Sequence, residues 1–285
     1  MRWFAALLLC LLVTVRAGAA ELKFATWNLE WLTERKSGDP ALPPDVHTRR
    51  PEDFDRLRQY ALQLNADVVA LQEVDGRSAA QRVFPPDRYS LHLTHDRRVQ
   101  RVGIAVRRGL SYDVNPDVTG IEGDPDLQLR SGADITLHLP GAALRILAVH
   151  LKTGCARKRL TRATSGSCAE LQAQIPPIAA WMAARQREGT PFLLMGDFNR
   201  LLDNRDQVWR ELNRVLPLGR ATEGRSSPCW GREAFIDHIL AGGAARSWIE
   251  PESLRVLVYR ESGPEWKQRL SDHCPVSVRL RVPGD

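Results

Sequence analysis

Much of what announces an enzyme class in a short motif is missing from this chain. Its 285 residues contain no Gly-x-Ser-x-Gly elbow, no Walker phosphate loop and no Gly-rich dinucleotide turn. Serine-hydrolase, P-loop and Rossmann chemistry are thereby excluded in their usual local form. None of the five cysteines forms the closely spaced pair that zinc loops use, which speaks against a structural zinc site. There is no internal repeat and no low-complexity segment, so a solenoid or a linker-like chain is excluded. Past the N-terminus, no stretch approaches the roughly 20 apolar residues of a bilayer span. Aromatic residues make up only 7%, and the loops around Trp230 and Trp266 are polar, so no aromatic hairpin suited to entering a membrane is present.

What is present begins with Arg2, an apolar run from Trp3 to Val15 and the small residues Ala17-Gly18-Ala19-Ala20, the pattern of a secretory signal. The run is short for a membrane span, and the mature, exported chain is expected to begin near Glu21 and to form one α/β domain to Asp285. The formal charge of +6 falls by two when Arg2 and Arg16 leave with the signal. Cys10 leaves too, and Cys155, Cys168, Cys229 and Cys274 remain in a compartment that permits disulfides. Three pairings are open. The favoured one joins Cys155 to Cys168, which bound one polar loop, and leaves Cys229 for Cys274. Basic residues gather at Arg97, Arg98, Arg101, Arg107 and Arg108, and again at Arg157, Lys158, Arg159 and Arg162 inside that loop. Such clusters suit a polyanion; a solvated surface is the alternative.

With 43% hydrophobic residues the chain can bury a large core. Pro191–Arg200 shows how that core is used. Phe192 to Met195 reads as a strand buried on both faces, and it ends at Gly196, Asp197, Phe198 and Asn199, with polar and apolar residues alternating. Further strands are expected at Leu22–Trp27, Asp67–Gln72, Gly103–Arg107, Ile135–Leu139, Leu144–Val149, Phe235–Leu240, Leu254–Tyr259 and Val276–Leu280. Helices are expected from Pro51, with Phe54, Leu57, Ala61 and Leu64 as the stripe and Asn65 as the stop. Two more should cover Ala169–Arg187, kinked or restarted at Pro176-Pro177, and Arg205–Leu212. Strand after strand ends in a polar group: Asn28 and Glu30, Glu73, His150, Asp197 and Asn199, Asp237, then Asp272 and His273. Any one of these is an ordinary turn residue or cap. Together they point to convergence at one edge of a sheet, where α/β folds place their ligands. Oxygen donors without cysteine favour a hard cation, Mg²⁺, Mn²⁺ or Ca²⁺, and two histidines among carboxylates provide acid–base groups. Metal-assisted hydrolysis of a phosphate ester is the chemistry that remains.

Trp27-Asn28-Leu29-Glu30, Leu71-Gln72-Glu73-Val74, the strand ending at His150, Gly196-Asp197-Phe198-Asn199, Ile236-Asp237-His238 and Ser271-Asp272-His273 follow one another in characteristic order. In this the chain resembles the endonuclease/exonuclease/phosphatase superfamily of pancreatic-type deoxyribonucleases, abasic-site endonucleases, bacterial sphingomyelinases and inositol-polyphosphate phosphatases. The resemblance implies a four-layer α/β sandwich, two packed mixed sheets flanked by helices, with the site at one rim. It also implies a cation site of Glu73 with Asn28, Glu30 and Asp272, and a His273–Asp237 pair as the base that activates water. Asp197 would orient or deprotonate that water, and Asn199 and His150 would hold the phosphate oxygens. Arg130 and Lys152 would contact substrate. In the pancreatic enzymes a glutamate supports the histidine matched by His150, and Arg97–Val102 offers no counterpart. Arg200 either reaches a flanking phosphate or pairs with Asp203. The expected function is that of an exported, monomeric nuclease acting on DNA or RNA. A phospholipid or sugar-phosphate phosphodiesterase, and a binding module that has lost the chemistry, are the alternatives.

Overall fold

Two six-stranded mixed sheets pack face to face, and each is covered outside by helices. The computed structural model describes residues 20–123, 129–160, 165–231 and 234–283. Apart from Ala20, the expected signal lies outside the described residues, as do Cys10 and Arg162. In chain order the elements are β1 (Ala20–Leu32), α1 (Pro51–Leu64), β2 (Val68–Val74), α2 (Arg77–Val83), β3 (Tyr89–Leu93), β4 (Arg101–Arg107) and β5 (Ser111–Val114). There follow β6 (Ala133–Leu139), β7 (Ala142–His150), α3 (Ser167–Ala173), α4 (Ile175–Glu188), β8 (Phe192–Asp197), α5 (Gln207–Val215) and β9 (Leu218–Arg220). The chain closes with β10 (Asp237–Gly242), β11 (Arg255–Val256), α6 (Pro264–Arg269) and β12 (Val276–Val282).

The first sheet runs β11-β12-β1-β2-β4-β3 and the second β5-β6-β7-β8-β10-β9. Each has one parallel pair near its middle, β1 with β2 and β7 with β8. These strands are covered on both faces, which is why they read as continuous apolar runs. Phe24, Ile104, Leu193, Met195 and Val278 belong to the layer between the sheets. On the outer faces, Phe54, Leu57 and Leu64 of α1 join Trp27 and Leu71, and Ile178 and Met182 of α4 join Leu194 and Phe192. Burying a side chain of this size contributes on the order of 2 kcal/mol.

Local signals explain most boundaries. Asp53 accepts the backbone N–H of Arg50 at 3.0 Å, and Asn65 ends α1 in the left-handed conformation at φ 46°. The Ala169–Arg187 segment is two helices, with a fresh start at Ile175 just before the paired prolines. Other expectations need correction. Leu254–Tyr259 pairs only at Arg255 and Val256, because the chain then turns so that Tyr259 can pack inward. The expected strand at Phe235 opens at Asp237, which puts Asp237 at a strand's start. In antiparallel register it pairs with Asp197, so the start of β10 lies beside the end of β8. At Gly196, φ is +151° and a Cβ would stand 2.0 Å from the Val149 carbonyl oxygen, so only glycine lets β8 approach β7 this closely. Both expected disulfides are formed, Cys155–Cys168 and Cys229–Cys274.

Candidate active site

Parallel pairing places the ends of β1 and β2 side by side, and likewise the ends of β7 and β8, where His150 is level with Asp197. The start of β10 and the turn before β12 complete the rim. Four residues here are held at positive φ without being glycine: Glu30 (47°), Trp31 (47°), Glu73 (62°) and Asn199 (49°). Backbone strain of this kind persists where the surrounding structure enforces it and marks functional rims. Here β1 breaks register with β2 between Asn28 and Leu32, which swings Glu30 and Trp31 toward Glu73.

Asn28 stands at the centre. Its amide nitrogen donates to Glu73 Oε1 at 3.0 Å and to Asp197 Oδ2 at 3.1 Å, while its oxygen accepts the Glu30 N–H at 2.9 Å. Glu73 Oε2 accepts from Trp31 N at 3.0 Å and from Gln100 Nε2 at 2.5 Å. Glu30 lies against Asp272, and its carboxyl is pushed up to about 9, first by burial and then by Asp272 and Glu73. Crowded carboxylates, one of them forced to keep its proton, are what a hard divalent cation neutralises, so Glu30, Glu73 and Asp272 fit such an ion in donor chemistry. Asn28, with its oxygen turned to Glu30 N, bridges Glu73 and Asp197 in this arrangement.

The acid–base groups lie on the other side of Asn28. His273 Nδ1 donates to Asp237 Oδ2 at 2.8 Å, and its Nε2 lies 3.8 Å from Asp197 Oδ2 and 3.7 Å from Asp272 Oδ1. The Asp237 and Asp197 carboxylates outweigh burial and hold the imidazole well above its ordinary pKa. Burial, together with Asp237, raises the Asp197 carboxyl to about 7. Asn199 donates its backbone N–H to Asp197 Oδ1 at 2.7 Å, and its side-chain amide reaches Leu151 O and Asp197 Oδ2. Phe198 between them is fully buried. Asp197, Asp237 and His273 could themselves hold a metal, with ligand atoms within 4.8 Å of one another. His273 Nδ1 is already committed to Asp237, which leaves Nε2 facing the centre as a proton-handling group.

His150 is 4% exposed, and burial, then the charges of Arg130 and His273, keep it well below its ordinary pKa and therefore neutral. Its Nε2 lies 3.7 Å from Glu73 and 3.6 Å from Asp197, and its Nδ1 has no partner among the described residues. Among the described residues no carboxylate supports His150 Nδ1, and Gln100 of the Arg97–Val102 segment binds Glu73. Arg130 approaches from the β6 side, its Nε unpartnered and its guanidinium facing the charges of Glu73 and Asp197. Lys152, expected on substrate, is paired with Glu170 at 2.7 Å. Arg200 pairs with Asp206 and not with Asp203. His238 is a core histidine between Thr222 and the Arg200 carbonyl, and burial lowers it to about 4.

Three supporting residues carry no local signal. Arg49 is buried and caps the carbonyls of Leu29, Trp31, Arg269 and Leu270. Tyr259 accepts from Trp27 Nε1 and donates to the His273 carbonyl. Gln100 is an isolated amide in a basic stretch. Each acts across a separation that periodicity does not reach. Ser271 Oγ ties the β12 turn to the Asn28 carbonyl at 2.7 Å.

Among solved structures, human Nocturnin's catalytic domain aligns at 17% identity over 91% of this chain and 93% of that one, with a TM-score of 0.57. An AP endonuclease from Archaeoglobus fulgidus aligns at 14% identity over 92% and 100%, with a TM-score of 0.58. TDP2 from D. rerio aligns at 14% identity over 91% and 98%, with a TM-score of 0.60. These likenesses are of fold. No curated protein matches the sequence. The profile of the Endonuclease/Exonuclease/phosphatase family matches residues 25–273, the span that carries every rim group described above. With that match and this fold, the chain belongs to the Endonuclease/Exonuclease/phosphatase family of phosphodiester hydrolases.

Proposed function

We propose that the protein is an exported, metal-dependent nuclease that hydrolyses phosphodiester bonds of DNA or RNA, acting as one domain from Glu21 to Asp285 and as a monomer. One observation carries the substrate class: arginine lines the cleft at the acid–base cluster and a second space beside Glu73, where Gln100 binds that carboxylate. A cleft of about 460 Å³ brings Arg157 together with Asp237, Asp272 and His273. A second, of about 230 Å³, collects Arg97, Arg98, Gln100 and Arg130. Cationic walls on a catalytic cleft concentrate a polyanionic substrate. The exposed large apolar residues among those described, Leu62, Val114 and Val258, lie on three separate elements or loops and offer no lipid-binding patch. The likeness to D. rerio TDP2, whose structure is a complex with a single-strand DNA product, supports the same substrate class. Export is supported by the two disulfides and by the signal pattern in the sequence. No helix among the described residues is long and apolar enough to cross a membrane.

Glu30, Glu73 and Asp272, with Asn28 between them and Asp197, would hold Mg²⁺ or Mn²⁺. When bound, the ion supplies Lewis-acid stabilisation of charge on the phosphate. Asp197 accepts the proton of the attacking water, and His273, 3.8 Å away and kept charged by Asp237 and Asp197, stands beside that carboxylate as the group that can later return a proton. Asp237 fixes the imidazole by taking the Nδ1 hydrogen bond, so Nε2 stays directed at the reacting group. Neutral His150 and Arg130 offer donors to the non-bridging oxygens, whose charge grows toward the transition state, while Asn199, its amide donated to Leu151 O and Asp197 Oδ2, steadies the Asp197 carboxylate.

The test is incubation of purified protein with plasmid DNA and with RNA in Mg²⁺ or Mn²⁺, with Asp197→Ala as control. Cleavage of at least one by the wild type alone is expected. Failure on both, with metal-dependent hydrolysis of sphingomyelin, would place the enzyme among the lipid phosphodiesterases.

A further inference from the structure

The cleft at His273 does not end at the rim. Through Ala156, Arg157 and Leu201 it continues into a groove of about 560 Å³ between the Cys155–Cys168 loop and the start of α5. Arg157, Lys158 and Arg159 of the loop and Arg205 and Arg210 at α5 line this groove. All five side chains are exposed, and among the described residues none has a carboxylate within 4.0 Å. Asp203 is the exposed carboxylate that faces them.

The groove's floor is rigid, and that distinguishes it from a solvated basic surface. Arg200 is 3% exposed and follows directly from the catalytic tip of β8. Its Nε donates to Asp206 Oδ2 at 2.7 Å, and its Nη1 donates to the carbonyls of Cys155 and of Lys158, the latter at 2.7 Å. Leu201 N donates to the Ala156 carbonyl at 3.2 Å, and Leu160 N donates to Gln207 Oε1 at 2.6 Å. The disulfide closes the loop across 13 residues. The backbone of 155–160 is therefore pinned at both ends and in the middle, and its cationic side chains project from a fixed frame. A floppy basic loop would lose conformational entropy on meeting a ligand; this one has lost it on folding. The buried charge of Arg200 is satisfied by Asp206 and by loop carbonyls, so it serves to hold the loop and is not itself offered to substrate.

We infer that this groove is a backbone-binding subsite for the polynucleotide flanking the cleavage position, with Lys158, Arg159 and Arg210 contacting phosphates beyond the scissile one and Arg200 as the positioning residue that fixes their frame. The inference rests on the nuclease reading above and adds that substrate must extend along one named side of the site. Contacts to several phosphates give length-dependent affinity that is lost steeply with salt, by about 0.7 of a unit of slope per contact on a single strand.

The test uses the exposed variant Lys158→Ala/Arg159→Ala/Arg210→Ala, which removes no anchoring contact. First, kcat/KM is measured on a 20-nucleotide single strand and on bis(p-nitrophenyl) phosphate. The ratio of the two constants should fall about tenfold or more in the variant. Second, binding of a fluorescent 20-nucleotide strand is followed across salt in an Asp197→Ala background. The slope of log Kd against log salt should drop by about 2 when the three cations are removed. An unchanged ratio and slope, in a protein whose wild type cuts nucleic acid, would overturn the groove and leave the nuclease reading intact. A wild type that cuts no nucleic acid, yet loses salt-dependent strand binding in the variant, would overturn the nuclease reading and leave the groove. Loss of binding to phosphatidylglycerol vesicles, with no strand binding in either protein, would assign the cations to a lipid surface and refute the inference. Arg200→Lys, which keeps the charge but not the fork, should lower the same ratio through KM while leaving kcat on the small ester within a few-fold.

Discussion

Glu30 is the group on which a cation held at the proposed site should act most visibly. Its carboxyl rises from 4.5 to about 9, with burial first and then Asp272 among the causes. Between those two values the folded chain keeps a proton that the unfolded chain releases. The associated stability is therefore complete below about pH 4.5 and is lost as pH climbs toward 9. At 1.36 kcal/mol per pKa unit, the loss amounts to about 6 kcal/mol at most. A divalent ion among Glu30, Glu73 and Asp272 would replace carboxylate repulsion with attraction and offset the cost of burying the charged form. Mn²⁺ or Mg²⁺ at a hundred times its Kd stabilises by about 2.7 kcal/mol, which for a chain of this size raises Tm by roughly 5–10 °C. Scanning calorimetry at pH 8 and at pH 5, with and without the ion, reads this directly. The rise should be large at pH 8 and small at pH 5, where Glu30 holds its proton. Glu30→Gln should be more stable than wild type at pH 8 without metal and should respond weakly to the ion. An equal rise at both pH values, or a full response in Glu30→Gln, would refute the assignment of these carboxylates.

Three further outcomes follow from the same geometry. Because Asp197 titrates near 7, kcat/KM on a small phosphodiester should fall about tenfold per pH unit below that point and level off above it, a limb that Asp197→Asn should abolish. Asp237→Asn keeps the shape of the His273 partner but removes its charge, so kcat should drop by about 10²- to 10⁴-fold with the circular dichroism spectrum unchanged. Replacing Cys155 and Cys168 by serine opens a loop spanning 13 residues and should cost about 3 kcal/mol in urea unfolding.

The strands that carry the site were legible because burial on both faces leaves an unbroken apolar run ending in a polar residue. β2, β7 and β8 all read this way, and their termini Glu73, His150 and Asp197 meet as expected. α1 was legible from Pro51, Asp53 and Asn65, since caps are local chemistry. The edge strands β3, β5 and β9 and the short helices α2 and α6 were not. β5 is largely exposed and β9 spans only Leu218–Arg220, so neither imposes a pattern. The pairing of Asp237 with Asp197 depends on register, and the roles of Arg49, Gln100 and Tyr259 depend on contacts made after the sheets have packed. Arg200 shows the same limit. Asp203 and Asp206 are both near in sequence, and only the start of α5 decides for Asp206, its N-cap residue.

Asp197, Asp237 and His273 are proposed to hydrolyse phosphodiesters at this rim with the help of a divalent ion. Turnover of bis(p-nitrophenyl) phosphate by wild type and His273→Ala, with Mn²⁺ and then with excess EDTA, tests it most directly. Wild-type turnover with metal that vanishes on chelation and falls at least a hundredfold in His273→Ala is expected. Turnover that survives EDTA, or that His273→Ala retains in full, would contradict it.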